Sequence, residues 1–455
     1  LDGTASQISA GSRVTGPSST IVYTGPAADP AAWGSSYRNL TVTGTLSLGG
    51  ASVTVAGTLE NTGIIAINGS GTINKSDNNS GTFSYTTGWT GTGIPALNGY
   101  NALEITGGTR TQANALSAAS LSVSGPATLQ LDGFTATITG ATTNAGEIDI
   151  NGAGNLSTAS LSNPGLVVLS STGTCNHSDA AQGTFRYTGG WTGTIPLLPE
   201  SYHDLEITGG THTQTNGLSV ARNLTISGGT TALSTGANAV TVTGTVSGTG
   251  TLTGGSGSIT VGGGFTPSNF SQSGGTLTLN GTVPAFALTG AIGSLTIGAV
   301  ANVALVGNMT LTGNLTLSSG GVFTATGGTV TIAPSGASST ISGNPAFNSL
   351  SSTGQSGKTL TIDNDISVLG TLTLSGLDAS HRLFINGNGS ISLASDQANG
   401  NFLSVDSDID IVAGHTYIAY QSVPTNLPRA ANWRIMSSTS GNPTWTGTLG
   451  TEWNA

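Results

Sequence analysis

Charge is what this chain has least of. Lys, Arg, Asp and Glu together make up 7% of its 455 residues, against roughly a quarter in an ordinary globular protein. What charge there is leans acidic, with 10 basic against 20 acidic side chains and a formal net charge of −10. Such a balance repels phosphate backbones and excludes nucleic acid as a partner. Cys175 is the one cysteine, so no internal disulfide holds the fold. No apolar run reaches the length of about 18 residues that a membrane-spanning helix needs, so no membrane insertion is expected of this chain. The first residues, LDGTASQISA, carry neither a basic start nor an apolar stretch. No signal peptide is expected there, as in a mature product or an excised piece. Helical periodicity is nearly missing as well.

Glycine and alternation fill the space that charge leaves. The chain has 71 Gly and 15 Pro, with Gly at about twice its usual share. A mean hydropathy of +0.11 argues against a solvated disordered polymer. Apolar residues alternate in short runs: LTVTGTLSL (40–48), SVTVAGTL (52–59), TATITG (135–140), AVTVTGTV (239–246), TLTGNLTL (310–317) and TLTLSG (371–376). Period two with Thr and Val is the strand signature. Gly, Asn, Asp and Ser punctuate every six to twelve residues or so, as turns require. Short, monotonous, Gly-bounded strands suit a sandwich, a barrel or a solenoid. Small-residue corners and unbroken monotony favour an all-β, parallel β-solenoid, right-handed by the rule for parallel crossovers. Asn61, Asn68, Asn144, Asn151 and Asn163 fall at presumed corners, where amides can stack in ladders. At roughly 20 residues per coil and ~4.8 Å per rung, this predicts about 20 rungs in a rod of about 100 Å.

One passage occurs twice. GTFSYTTGWTGT (81–92) returns as GTFRYTGGWTGT (183–194), and LEITGGTRTQ (103–112) as LEITGGTHTQ (205–214), at an offset of 102 residues. A copied unit of this kind is the mark of a repeat architecture. The repeat spans 76–112 and 178–214. An aromatic residue followed three later by Leu recurs at Tyr37/Leu40, Tyr100/Leu103, Tyr202/Leu205 and Phe347/Leu350, with Ile292/Leu295 as a degenerate version. The expected organisation is an entry or cap segment at 1–36, a continuous solenoid over 37–401, and a cap or the start of another module at 402–455. That last stretch holds more aromatics, Trp433, Trp445 and Trp453 among them.

The runs SYRNLTVTGTLSLGGASVTVAGTLENTGIIAING (36–69), NMTLTGNLTLSSGGVFTATGGTVTI (308–332) and NPTWTGTLGTEWNA (442–455) resemble repeats of filamentous-haemagglutinin-like and type IX-secreted bacterial surface adhesins. The resemblance implies a secreted, surface-exposed β-solenoid and brings no catalytic residues. The family's C-terminal sorting region is not visible in this sequence.

Candidate sites are few. Tyr85 and Trp89, with Tyr187 and Trp191 in the second copy, could stack on sugar rings or form fibre contacts, and Phe83 and Phe185 accompany them. The bland alternative, preferred, is that these rings fill a gap between irregular coils. Asp406, Asp408 and Asp410 alternate, which places three carboxylates on one strand face, and Asp363 and Asp365 alternate likewise. No calcium-binding loop motif accompanies them, so a solvated face is expected. His177, His203, His212, His381 and His415 are scattered without zinc-site spacing. Glu104 and Glu206 recur in both copies, which favours a structural role. The chain carries no nucleophile elbow and no phosphate loop. Neither a catalytic residue nor a cofactor or metal is therefore assigned. Thr pairs such as Thr41/Thr43, Thr109/Thr111, Thr211/Thr213 and Thr241/Thr243 invite an ice-binding reading, but they follow no strict rung period. The expected role is a non-enzymatic extracellular fibre segment or adhesin stalk at the cell surface. Its partners would be other copies of itself or extracellular glycans. The alternatives are a glycan-binding module and a β-helix polysaccharide lyase or hydrolase.

Overall fold

The structure, a computed structural model, describes residues 20–436 apart from 26, 29–35, 92, 96, 98, 192–194, 196–200, 289, 407 and 425–431. Among these, the regular elements are strands, with no helix, and successive turns of the chain pair in parallel to form a β-solenoid of about 20 turns. The chain divides into two compact units, Leu1–Gly210 and Thr211–Ala455, where the sequence predicts one run over 37–401.

In the first unit, one sheet takes a strand from each of nine turns. It runs from Ala27–Ala28 through Thr82–Tyr85 and Tyr100–Ile105 to Thr174–Cys175. Thr82 lies beside Ile64 of the turn before and Ala102 of the turn after. In the second unit, an eleven-stranded sheet runs from Leu218–Val220 to Val423–Pro424 in the same manner.

Alternation sends every second side chain inward. Register is kept across most pairs of turns, with local shifts such as the one between Ala118 and Leu121, and the inward residues form columns. Val240, Ile259, Leu277, Leu295, Leu315, Ile341 and Ile362 follow one another on successive turns. Each is at most 1% exposed. Burying one such side chain stabilises the fold by ~1.5–3 kcal/mol, so a narrow core is sufficient when it repeats. The aromatic/Leu landmarks are explained by this geometry. Tyr37 closes Ser36–Tyr37, Leu40 opens the next face in Asn39–Val42, and both point inward across the corner.

The corners are held by side-chain amides, though mostly not by amide stacking. Asn144 donates from Nδ2 to Asn163 Oδ1 at 2.7 Å, and both residues are fully buried. Elsewhere the amide clamps the neighbouring turn's backbone or hydroxyl. Asn68 accepts from Gly49 N at 2.6 Å and donates to Ser47 Oγ at 2.8 Å. Asn151 accepts from Asp132 N, and Asn61 donates to Thr82 O.

The predicted boundaries do not coincide with breaks in stacking. Thr20–Tyr23 pairs with Asn39–Val42, so coiling is under way before residue 37. At the other end, Tyr417–Tyr420 pairs with both Gln397–Asn401 and Trp433–Ile435, and Trp433 is wholly buried. The described residues of 402–436 therefore continue the solenoid. Trp445 and Trp453 lie outside the described residues.

Gly183 has φ of 74°, and a Cβ there would sit 1.7 Å from Asn163 O. Gly183→Ala is expected to lose well over ~1 kcal/mol of stability in urea titration. Gly190→Ala, where the nearest atom would be 3.7 Å away, is expected to change little.

Candidate functional site

The twin aromatic clusters are the densest chemistry in the chain. In each copy a four-residue strand, Thr82–Tyr85 or Thr184–Tyr187, turns Phe and Tyr inward. The chain then reverses in a tight turn, with Trp89 N donating to Thr86 O at 3.0 Å and Trp191 N to Thr188 O at 2.9 Å. That reversal carries the indole back over the tyrosine. Ring centroids are 4.7 Å apart for Tyr85–Trp89 and 4.6 Å for Tyr187–Trp191.

The next turn supplies a second tyrosine. The hydroxyls of Tyr85 and Tyr100 lie 3.1 Å apart, and those of Tyr187 and Tyr202 lie 2.9 Å apart. Phe83 and Phe185 meet Tyr100 and Tyr202 edge-on at 5.3 and 5.4 Å. These geometries are the favoured ones for aromatic quadrupoles. Burial pushes the Tyr85 and Tyr187 phenols far above their ordinary value, and it raises Tyr100 and Tyr202 as well.

Tyr85, Trp89, Tyr187 and Trp191 are the residues expected as possible ligand or fibre contacts. They are 1%, 7%, 0% and 7% exposed. Their ring faces are covered by their own turns, so they are not a surface stacking platform. The inward-packing alternative describes them, because alternation places each tyrosine inside and the turn folds each tryptophan onto it.

Asp77 and Asp179 complete both copies and went unnoticed in the sequence. They are nearly buried, and each caps backbone of two segments. Asp77 accepts from Asn61 N at 2.7 Å and Asn79 N at 2.9 Å; Asp179 accepts from Asn163 N at 2.7 Å and Ala181 N at 2.8 Å. A third aromatic pair was also missed: Tyr23 and Tyr37, hydroxyls 3.2 Å apart and both buried. The phrase TxxYT at 20–24, 82–86 and 184–188 is the signal that finds it.

The copies differ at one inward position. Arg110 lies 4.8 Å over the Trp89 ring and donates to Thr86 O at 2.6 Å and Gly91 O at 3.1 Å, tying the tryptophan turn to the following strand. Its pKa is lowered by burial. In the second copy this position is His212, also buried.

Other candidates disperse. Strand Leu403–Val405 ends before Asp406, Asp408 lies in a turn, and Asp410 opens a new strand, so the three carboxylates do not share a strand face as expected. Asp365 clamps Ser390 N and Oγ at a corner. His381 meets Asp378 at 3.0 Å, His203 meets Asp204 at 3.3 Å and His415 meets Asp396 at 3.8 Å, each separately. Cys175 is buried. Glu206 pairs with Arg186 at 2.7 Å. In the first copy the place of Arg186 is taken by Ser84, beside Glu104. Among the described residues, no group of three or more His, Cys, Asp or Glu is placed to hold a metal.

Shallow clefts occur among the described residues. One of about 670 Å³ is lined by Lys75, Asn74 and Thr58 without a carboxylate. Another, about 440 Å³, is lined by Asp396, Asn399 and Thr371 without a basic side chain. Neither brings together the acid and base that a polysaccharide lyase or hydrolase groove would need. No family model, no curated protein and no solved structure matches the chain.

A phenol whose folded pKa lies above its unfolded value, about 10, keeps its proton in the fold after the unfolded chain has lost it. Its contribution is whole below about pH 10 and is lost as pH rises through the folded value. Stability measured by denaturant titration is therefore expected to fall above about pH 10. Tyr187→Phe should lose ~1 kcal/mol at neutral pH and show a shallower alkaline decline. Trp191→Ala should lose ~3–5 kcal/mol.

Proposed function

We propose that this chain is a non-enzymatic structural segment of an extracellular fibre or adhesin stalk. The carrying observation is the in-register ladder within each unit, where nearly every turn adds the same inward column and the same backbone pairing. The groups of the twin clusters hold turns together. The phenols bond each other, the buried Asp77 and Asp179 cap backbone, and the indoles cover tyrosines. A stack whose hydrogen bonds lie along its own axis resists bending, which suits a spacer. The outward side chains are largely Thr, Ser, Asn and Gly, soluble yet weakly charged, and this suits close approach of neighbouring copies or contact with neutral glycans. The adhesin-like repeat phrases support the extracellular placement.

Immunogold electron microscopy of producing cells with antibody to this chain tests the reading. Label on extracellular filaments or the outer surface is expected. Label confined to the cytoplasm contradicts it, as would release of oligosaccharides from a polysaccharide panel by the purified chain.

A further inference from the structure

We propose that the eleven-stranded sheet of the second unit is an ice-binding face. On its outward side, Ser219, Thr241, Thr260, Thr278, Thr296 and Thr316 lie directly beside one another on six successive turns, with no register shift. Two positions earlier on the same side, the turns of Thr260, Thr278, Thr296 and Thr316 carry Ser258, Thr276, Ser294 and Asn314, and Thr276 pairs with Ser294. One full rank of hydroxyls thus stands beside a shorter second rank of three hydroxyls and one amide, in which Ser294 Oγ accepts from Asn314 N and Asn314 Oδ1 from Thr340 N; the spacing is about 4.8 Å from turn to turn and about 6.6 Å along each strand. Both repeats resemble oxygen repeats on faces of hexagonal ice.

The state of the hydroxyls is a separate observation. Threonines that follow a strand at a corner spend theirs on the preceding turn: Thr43, Thr86, Thr106, Thr188 and Thr208 donate to Tyr23 O, Ile67 O, Tyr85 O, Leu169 O and Tyr187 O. Among the described residues, the side chains of Thr241, Thr260, Thr278, Thr296 and Thr316 make no such bond. Their hydroxyls are left for solvent, on a side where neither rank carries a charge.

An uncharged array complements an uncharged lattice. Threonine is stiff about χ1, so the hydroxyls are already ordered and little freedom is lost on contact. A single hydroxyl holds water weakly, but a rigid periodic ligand meets every rung at once. The spacing of these residues in sequence is uneven, as in Thr241 to Thr260 and Thr296 to Thr316. Corners of different length absorb the difference, and register is restored on the sheet.

Ice-affinity partitioning of the fluorescently labelled chain, together with recrystallisation inhibition, tests this. The wild-type chain is expected to concentrate in growing ice. Thr278→Tyr and Thr296→Tyr should abolish uptake, as should Thr241→Lys at a more exposed rung, while Thr137→Tyr on an outward face of the first unit should retain it. Circular dichroism confirms that each variant is folded. Exclusion of the wild-type chain from ice overturns the proposal. So does uptake by folded Thr278→Tyr equal to wild type, or adsorption to crystalline chitin without uptake into ice.

Discussion

The parallel pairing of each turn with the next, in fixed register, is the constraint from which the rest of this molecule follows. A parallel ladder binds the backbone without reference to side chains. Once it is fixed, each inward position must be filled by a residue that tolerates an identical environment above and below. Leu, Ile and Val meet that demand in column after column, which is why a chain with so few charges and so much glycine still buries a core. Glycine enters where the chain has no room, as at Gly183 against Asn163 O. The thinness of the core is no weakness, because each turn repeats the contacts of the last.

The aromatic clusters occupy turns in which the chain reverses tightly after the strand, and the rings fill the space that an aliphatic column would leave open. Arg110 adds a cation over Trp89 and two bonds to carbonyls, fastening the reversal to the turn beyond it. Asn144, Asn163 and Asp179 form a buried polar line at one corner. Buried polar groups are tolerated when partnered, and here they hold adjacent turns at a set rotation.

Much of the fold was legible because strand alternation is local. LTVTGTLSL announces its own inward and outward sides, and a copied passage announces repetition. Less was legible about what lies next to what. The tyrosines and tryptophans left a surface platform open beside the preferred gap-filling reading, since alternation alone does not say which side is covered. Asp406, Asp408 and Asp410 looked like one face because period two was extended past the end of a strand. The hydroxyl ranks were hinted at only by pairs such as Thr241/Thr243, for the opposite reason. Their residues are aligned only after corners of unequal length are folded away, and no fixed spacing survives in the sequence. Register is a property of the closed coil, and the sequence records it only through inward columns and corner residues.

The central claim, register between turns, is most directly tested by cross-linking within the chain. Paired Cα atoms in the ladder lie within the range a disulfide spans, about 4.4–6.8 Å, whereas residues two turns apart lie beyond it. In a Cys175→Ser background, Thr278→Cys with Thr296→Cys is expected to form an intramolecular disulfide in near-quantitative yield under mild oxidation, read by mass spectrometry. Thr278→Cys with Thr316→Cys is expected to stay reduced. Cross-linking of the second pair in preference to the first would contradict the stacking on which this account rests.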